Sequence, residues 1–166
     1  WTMVPRTSIS SGDVYGNAMM HDVIEGGPGL IAVGRVGDSA AVWTSPDGFA
    51  WSRVAHDPVV FGGGHVETEM LSVTAGGPGY VAVSAISDTG MGVWTSPDGT
   101  TWSAVSLDPA VFDGDEEMTV IIGTATGLIS AGMEGHDAAA WFSADGVTWT
   151  RLNHGGTFDS EGLEGI

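Results

Sequence analysis

The chain has 166 residues, with 21 acidic side chains against four arginines, and it contains no lysine and no cysteine. A net charge of −17 argues against nucleic acid as a partner, because the phosphate backbone would repel most of this surface. The lack of cysteine excludes disulfides and thiolate chemistry, and the lack of lysine excludes Schiff bases and Walker-type phosphate loops. No run of apolar residues approaches the roughly 18 positions that a membrane span requires, so we predict none.

One sequence pattern occurs three times along the chain. Each copy begins with a methionine-led apolar run and ends with two tryptophans that flank a Ser-x-Asp-Gly turn. The second tryptophan of each pair is Trp51, Trp102 or Trp149. Self-similarity at a period of about 50 residues indicates a repeated structural unit.

Each repeat is predicted to hold four short strands, a to d, and helical periodicity is absent. Strand b is an almost continuous apolar run, which is typical of a strand covered on both faces. Strand d starts at the second tryptophan, after an Asp-Gly turn that reverses the chain. The predicted ranges are 19–25, 69–75 and 117–123 for strand a, 30–36, 80–86 and 128–133 for strand b, and 40–44, 91–95 and 138–142 for strand c.

Four strands in a repeat of about 50 residues is the pattern of β-propeller blades. We therefore predict an all-β chain, a partial propeller over residues 1–166, with complete four-stranded antiparallel blades at 19–55, 69–106 and 117–153. Residues 1–4 are predicted as strand d of a preceding blade, and residues 161–166 as strand a of a following blade. A closed propeller needs about four to eight blades, so we expect an open arc of a larger propeller. The neighbouring blades would come from the same or another chain, and a ring of several copies is the alternative.

The turn between strands c and d resembles the Asp box, the bacterial neuraminidase repeat of sialidase-like β-propellers, in a form one residue shorter than usual. The resemblance implies a structural hairpin, in which Asp accepts hydrogen bonds from loop amides, Gly supplies a positive φ and Trp packs between blades. A residue that catalysis needs once does not recur in every repeat, which argues against a catalytic role. The matching positions are Ser45, Asp47, Gly48 and Trp51; Ser96, Asp98, Gly99 and Trp102; and Ser143, Asp145, Gly146 and Trp149.

We predict a non-catalytic propeller segment that acts as a binding or interaction scaffold for a glycan or a protein. The alternative is a fragment of a sialidase-like glycoside hydrolase whose catalytic residues lie mostly outside this chain. The resemblance implies three arginines on a substrate carboxylate, and the chain is too poor in arginine to supply them. Arg53 and Arg151 occupy the same outer repeat position, which leaves Arg6 and Arg35. No catalytic residue is therefore assigned, and the resemblance favours a secreted or cell-surface location.

The connections between repeats carry two candidate metal sites. Asp113, Asp115, Glu116 and Glu117 place four carboxylates within five residues, and oxygen-rich flexible loops suit calcium. The Asp-x-Asp-x-Asp-Gly spacing is missing, so this segment is a weak calcium candidate beside the alternative of a solvated loop. No other cofactor is expected.

A second polar segment alternates His65, Glu67 and Glu69, as ligands on one face of a strand would, but an exposed polar loop is the preferred interpretation. The connections are also the least repetitive parts of the chain, so we expect recognition there. Their acidity favours a cationic or neutral partner. They span 5–18, 56–68, 107–116 and 153–160.

Overall fold

The computed structural model describes residues 9–10, 17–27, 29–62, 67–86 and 90–152. Within these residues, the prediction of an all-β chain with three four-stranded antiparallel sheets is confirmed. The strands predicted at residues 1–4 and 161–166 lie outside the described ranges. No helix in the described part of the chain has the length and apolar character needed to cross a membrane.

Sheet 1 is formed by the first repeat. Its strands are β1 (Ile9–Ser10), β2 (Ala18–Gly26), β3 (Gly29–Val36), β4 (Ser39–Ser45) and β5 (Trp51–Arg53). Strands β2 to β5 follow one another in the sheet, each antiparallel to the next, as expected of strands a to d. The two-residue β1 was not predicted, and it lies parallel to β5 at the edge of the sheet.

Sheets 2 and 3 repeat this order without the additional edge strand. Sheet 2 contains β6 (Ser72–Gly76), β7 (Gly79–Ile86), β8 (Gly90–Ser96) and β9 (Ser103–Ala104), and sheet 3 contains β10 (Glu116–Thr124), β11 (Gly127–Glu134), β12 (Asp137–Ser143) and β13 (Thr150–Arg151). Strand β6 begins three residues later than predicted. The Met70 amide donates to the Gly34 carbonyl of sheet 1 at 3.1 Å, so this part of the chain pairs with the neighbouring sheet.

One short helical turn, α1 (Pro58–Phe61), lies in the connection between sheets 1 and 2. Asp57 caps it, since its carboxylate accepts a hydrogen bond from the Val59 amide at 2.9 Å, and proline fits the first helical position. The connection between sheets 2 and 3 makes the same cap, in which Asp108 accepts from the Ala110 amide at 2.9 Å. The two Asp-Pro segments thus share one local structure, although they lie in the connections that are the least repetitive parts of the sequence.

The three sheets are stacked in chain order. Strand β6 lies beside β2, and β10 lies beside β6, so that the first strands of the repeats are neighbours. One apolar cluster fills the space between sheets 1 and 2, and a second fills the space between sheets 2 and 3. Sheet 1 contributes residues such as Ile31, Val33 and Val42 to the first cluster, and sheet 2 covers them with Ala82, Trp94 and Trp102.

Strand b is buried on both faces only where a sheet follows it. Ile31 and Ala32 point to opposite faces of β3, and both are buried. The same holds for Val81 and Ala82 on β7. On β11 the prediction is wrong, because Ile129 remains half-buried while Leu128 is fully buried against sheet 2.

Candidate functional site

Each sheet carries an Asp-Gly turn immediately before its last strand in chain order, which is β5, β9 or β13; the Asp-Gly turns are Ser45–Trp51, Ser96–Trp102 and Ser143–Trp149. In the second turn, Asp98 Oδ1 accepts hydrogen bonds from the amides of Thr100 and Thr101 at 2.8 and 2.6 Å. Ser96 Oγ accepts from the Gly99 amide at 2.8 Å. Trp102 Nε1 donates to the Gly99 carbonyl at 3.0 Å and closes the turn.

The other two turns reproduce this network. Asp47 accepts from the amides of Phe49 and Ala50 at 2.8 and 3.0 Å, and Asp145 accepts from those of Val147 and Thr148 at 2.9 and 2.7 Å. The glycine of each turn has a positive φ, at 78° for Gly48, 80° for Gly99 and 76° for Gly146. All three turns therefore have one conformation, which glycine adopts without strain.

The hydrogen bonds from the turn amides lower the pKa of each aspartate. The amides of Thr101 and Thr100 hold the pKa of Asp98 well below its usual value. The amides of Ala50 and Phe49 lower the pKa of Asp47, and those of Thr148 and Val147 lower the pKa of Asp145. A carboxylate that keeps its charge to low pH is a poor proton donor. The aspartate carboxylate of each turn is therefore suited to the role of a fixed hydrogen-bond acceptor.

The Asp-Gly turns also contact the preceding sheet. A Cβ added to Gly27, in the first turn of sheet 1, would lie 2.7 Å from the Asp98 carbonyl oxygen of sheet 2. A Cβ added to Gly77 would lie 2.9 Å from the Asp145 carbonyl oxygen of sheet 3. At both sheet interfaces, therefore, the glycine turn that follows strand a of one repeat contacts the Asp-Gly turn of the next repeat.

Polar side chains link the first strands of the three sheets. Asp22 Oδ2 on β2 accepts hydrogen bonds from Ser72 Oγ at 2.9 Å and from the Val73 amide at 3.0 Å, both on β6. Ser72 Oγ in turn accepts from the Ile121 amide of β10 at 3.3 Å. Asp22, Ser72 and Val120 occupy the same position of the three repeats, so this link is made twice in the described residues.

Neither Asp22 nor Ser72 was predicted as a functional residue. Each lies two residues after the methionine that begins strand a, so the alignment of the repeats places them together. It does not reveal that a side chain of one repeat reaches the backbone of the next.

The end of the sheets opposite the Asp-Gly turns is strongly acidic. Because successive strands are antiparallel, the connections between sheets and the turns from β3 to β4 and from β11 to β12 lie at this acidic end. Carboxylates there outnumber the cationic groups Arg35, Arg53 and Arg151. Those in the described residues are Asp38, Asp57, Glu67, Glu69, Asp108, Asp113, Asp115, Glu116, Glu117, Glu134 and Asp137.

Arg35 pairs with two carboxylates at the acidic end. Arg35 lies 3.5 Å from Glu69 and 3.7 Å from Glu67, and His21 contacts the same Glu69 carboxylate at 3.0 Å. Glu67 and Glu69 belong to a non-strand segment, as the loop interpretation expected, and His65 lies outside the described residues. Their partners, Arg35 and His21, belong to sheet 1.

A cleft of about 410 Å³ lies where the second connection meets sheet 3. Arg151 lines it and forms an ion pair with Glu134 on the neighbouring wall. Pro109, Val111 and Trp149 supply apolar surface. The cleft at the acidic end is therefore lined by the Arg151–Glu134 ion pair and by apolar surface.

The weak calcium candidate includes a carboxylate that already has protein partners. Glu116 is buried, and its two oxygens accept from the amides of Asp113 and Gly114 at 3.1 and 3.0 Å. Asp113, Asp115 and Glu117 are exposed. Within the described ranges, no three His, Asp or Glu side chains are grouped so that they could hold a metal ion. Glu116 does not fit a free calcium ligand, and calcium binding by the segment stays a prediction.

Comparison with known proteins adds no family. No protein-family model matches the chain, and a search of curated proteins found no match.

Proposed function

We propose that the three sheets are blades of an Asp-box β-propeller and that the chain acts as a non-catalytic scaffold that binds a protein or a glycan. In a propeller, the first strands of successive blades lie around a common axis. The neighbouring positions of β2, β6 and β10 support this arrangement. The contacts of the second and third Asp-Gly turns with the preceding sheet support it as well.

The observation that carries the non-catalytic role is the equivalence of Asp47, Asp98 and Asp145. Each uses its carboxylate to hold two amides of its own turn. A catalytic carboxylate must instead reach a substrate atom or exchange a proton with it. Three aspartates with one structural arrangement suit a scaffold.

The acidic end is the proposed recognition surface. It contains the connections between the sheets, and loops that a rigid framework positions often carry recognition. Its negative potential attracts a partner with positive charge and speeds their encounter. We therefore favour a basic protein surface over a neutral glycan as the partner.

A binding measurement with defined probes tests this function. Immobilised poly-L-lysine and a set of neutral and sialylated glycans would be presented to the full chain at several salt concentrations. We expect salt-sensitive binding to poly-L-lysine that weakens in Glu117→Gln at the acidic end. Glu25→Gln, at the opposite end of sheet 1, removes the same charge and should have a smaller effect.

Two results would contradict the proposal. Equal weakening by Glu117→Gln and Glu25→Gln would show that net charge alone causes the binding. Hydrolysis of a fluorogenic sialoside by the purified chain would favour the glycoside hydrolase alternative. Binding to a glycan in place of poly-L-lysine would retain the scaffold and change the partner.

A further inference from the structure

Among the described residues, no sheet packs on the face of sheet 3 that points away from sheet 2, and this face is apolar. Strands β10, β11 and β12 contribute to it in register, so that Ile122, Ile129 and Phe142 form one row across the sheet. The exposed fractions of Val120, Ile122 and Met133 are 46%, 55% and 42%. We call this surface the open face; it consists of Val120, Ile122, Ile129, Ala131, Met133, Ala138, Ala140 and Phe142.

The same face of sheets 1 and 2 is covered. Val33 and Val42 are paired across sheet 1, and Val83 and Val93 are paired across sheet 2. All four side chains are at most 1% exposed, because the next sheet packs on them. Ala131 and Ala140 form the equivalent pair in sheet 3, and both remain half-buried.

At both interfaces, the valine-rich face of one sheet packs against the same kind of surface. That surface is the other face of the following sheet, which presents the two tryptophans of its repeat. Trp94 and Trp102 of sheet 2 cover sheet 1, and Trp141 and Trp149 of sheet 3 cover sheet 2. Complementarity therefore runs in one direction along the stack, from the valine-rich face of one sheet to the tryptophan face of the next.

We propose that the open face docks a further four-stranded sheet of this same repeat, through the tryptophan face and the Asp-Gly turn of that sheet. This inference rests on the proposed propeller arrangement and names the next member of the stack. An exposed apolar surface this continuous marks a contact site in a folded protein. None of the eight side chains of the open face is charged, and Glu117, which pairs with Met133, points to the same face at its acidic edge. An acidic sheet can therefore approach the row of Ile122, Ile129 and Phe142 without a like charge directly opposite.

A second copy of the chain fits the open face less well. Docking as in the two known interfaces would require the tryptophan face of sheet 1 to be free. Trp43 is 0% exposed, and Ala32 and Ala41 are buried beside it. These side chains are therefore not free to receive a second copy, whereas a further repeat would present its own tryptophan face.

An extended chain tests the proposal. The full chain would continue after Ile166 with a second copy of its residues 118–152. The copied Met118 then follows Leu152 by 15 residues. In the existing chain the equivalent separation is 13 residues from Val105 to Met118 and 16 residues from Val54 to Met70, so the new connection has a suitable length. A control extension carries Val120→Asp and Ile122→Asp in the original sheet 3. These two side chains are exposed, so the same double variant of the unextended chain should keep its melting temperature.

Docking is read from dye binding and proteolysis. The unextended chain should bind a hydrophobic dye, the extended chain should lose most of that fluorescence, and the appended sheet should resist protease as long as sheets 1 to 3. In the control extension, the appended sheet should be cleaved first. Equal cleavage of the appended sheet with and without the two aspartates would overturn the proposal. A stable dimer of the unextended chain that the double variant dissociates would also overturn it, since the occupant would then be a second copy.

Neither readout depends on a basic or glycan partner. Failure of docking and failure of the proposed binding function are therefore distinguishable.

Discussion

Gly27 of sheet 1 lies directly beneath the backbone of Asp98 in sheet 2, where a Cβ would come within 2.7 Å of the Asp98 carbonyl oxygen. Gly77 has the same relationship to Asp145 at the next interface. The Asp-Gly turn thus belongs to the contact between sheets as well as to its own hairpin. The turn recurs along the sequence, and the same contact between a glycine turn and an Asp-Gly turn is made at both sheet interfaces.

Substitution of Gly77 by alanine should destabilise the protein more than the same change at Gly135. Both glycines have a positive φ, 57° and 60°, which costs alanine about 1 kcal/mol. A Cβ at Gly135 meets nothing within 4 Å, so Gly135→Ala is a matched control for backbone strain. At Gly77 the added atom collides with the turn of sheet 3, and overpacking adds about 1–3 kcal/mol. Urea unfolding measures the difference, and equal losses would show that the two turns are not in contact.

The pair Asp22 and Ser72 should be energetically coupled. Asp22→Ala and Ser72→Ala each remove the hydrogen bond between them, so their effects on the free energy of unfolding should fall short of additive. Ser72→Ala also leaves the Ile121 amide without its acceptor, at a cost of about 1–3 kcal/mol. Ser84→Ala, which removes an acceptor of the Gly92 amide within sheet 2, is the control. The Asp22→Ala and Ser84→Ala changes should be additive, and additivity of the first pair would rule out the link between the sheets.

Acid should unfold the protein partly through Asp98. The turn amides hold the pKa of Asp98 below its usual value of 3.8, so the unfolded chain binds more protons as the pH falls past that value. The stability that the ionised carboxylate supplies is complete above about pH 5 and is lost progressively as the pH falls below that value. Asp98→Asn should therefore flatten the fall of unfolding free energy below pH 4. Urea unfolding from pH 7 to pH 2.5 measures this, and a parallel profile for the variant would contradict the assigned hydrogen bonds.

Glu116 should stabilise its loop with or without calcium. Glu116→Gln leaves one oxygen to accept from the amides of Asp113 and Gly114 and places an NH₂ group against the other amide. We expect a loss of about 1–3 kcal/mol, equal in EDTA and in millimolar calcium. Thermal unfolding under both conditions measures it. Stabilisation of the unsubstituted chain by calcium, absent in the variant, would instead identify a calcium site.

The strands could be predicted because the same sequence pattern occurs in all three repeats, so each copy supports the interpretation of the others. Met20, Met70 and Met118 begin equivalent apolar runs, and an Asp-Gly turn precedes each last strand, so hydrophobic pattern and turn residues agree three times. Local signals of this kind depend on neighbours along the chain. The Asp-Pro segments also carried such a signal, since Asp57 and Asp108 are capping residues before a proline, but a single helical turn is too short to show periodicity.

The contacts between sheets could not be predicted in the same way. Position within the repeat aligned Asp22 with Ser72, but their hydrogen bond crosses from one sheet to the next. The open face shows the same limit. Ile129 and Ile31 occupy equivalent positions of an apolar strand, and only the presence or absence of a following sheet decides whether each is buried.

Amide hydrogen exchange tests the stacking of the sheets through β2, β6 and β10 most directly. The amides of Val73, Ile121 and Gly123 donate to side chains of the preceding sheet, Asp22, Ser72 and Thr74 respectively. We predict that all three are protected as strongly as amides inside the sheets, and that Ser72→Ala releases the Ile121 amide while Gly123 stays protected. Exchange of all three at the rate of solvent-exposed amides, with the sheets otherwise protected, would contradict the stacked arrangement.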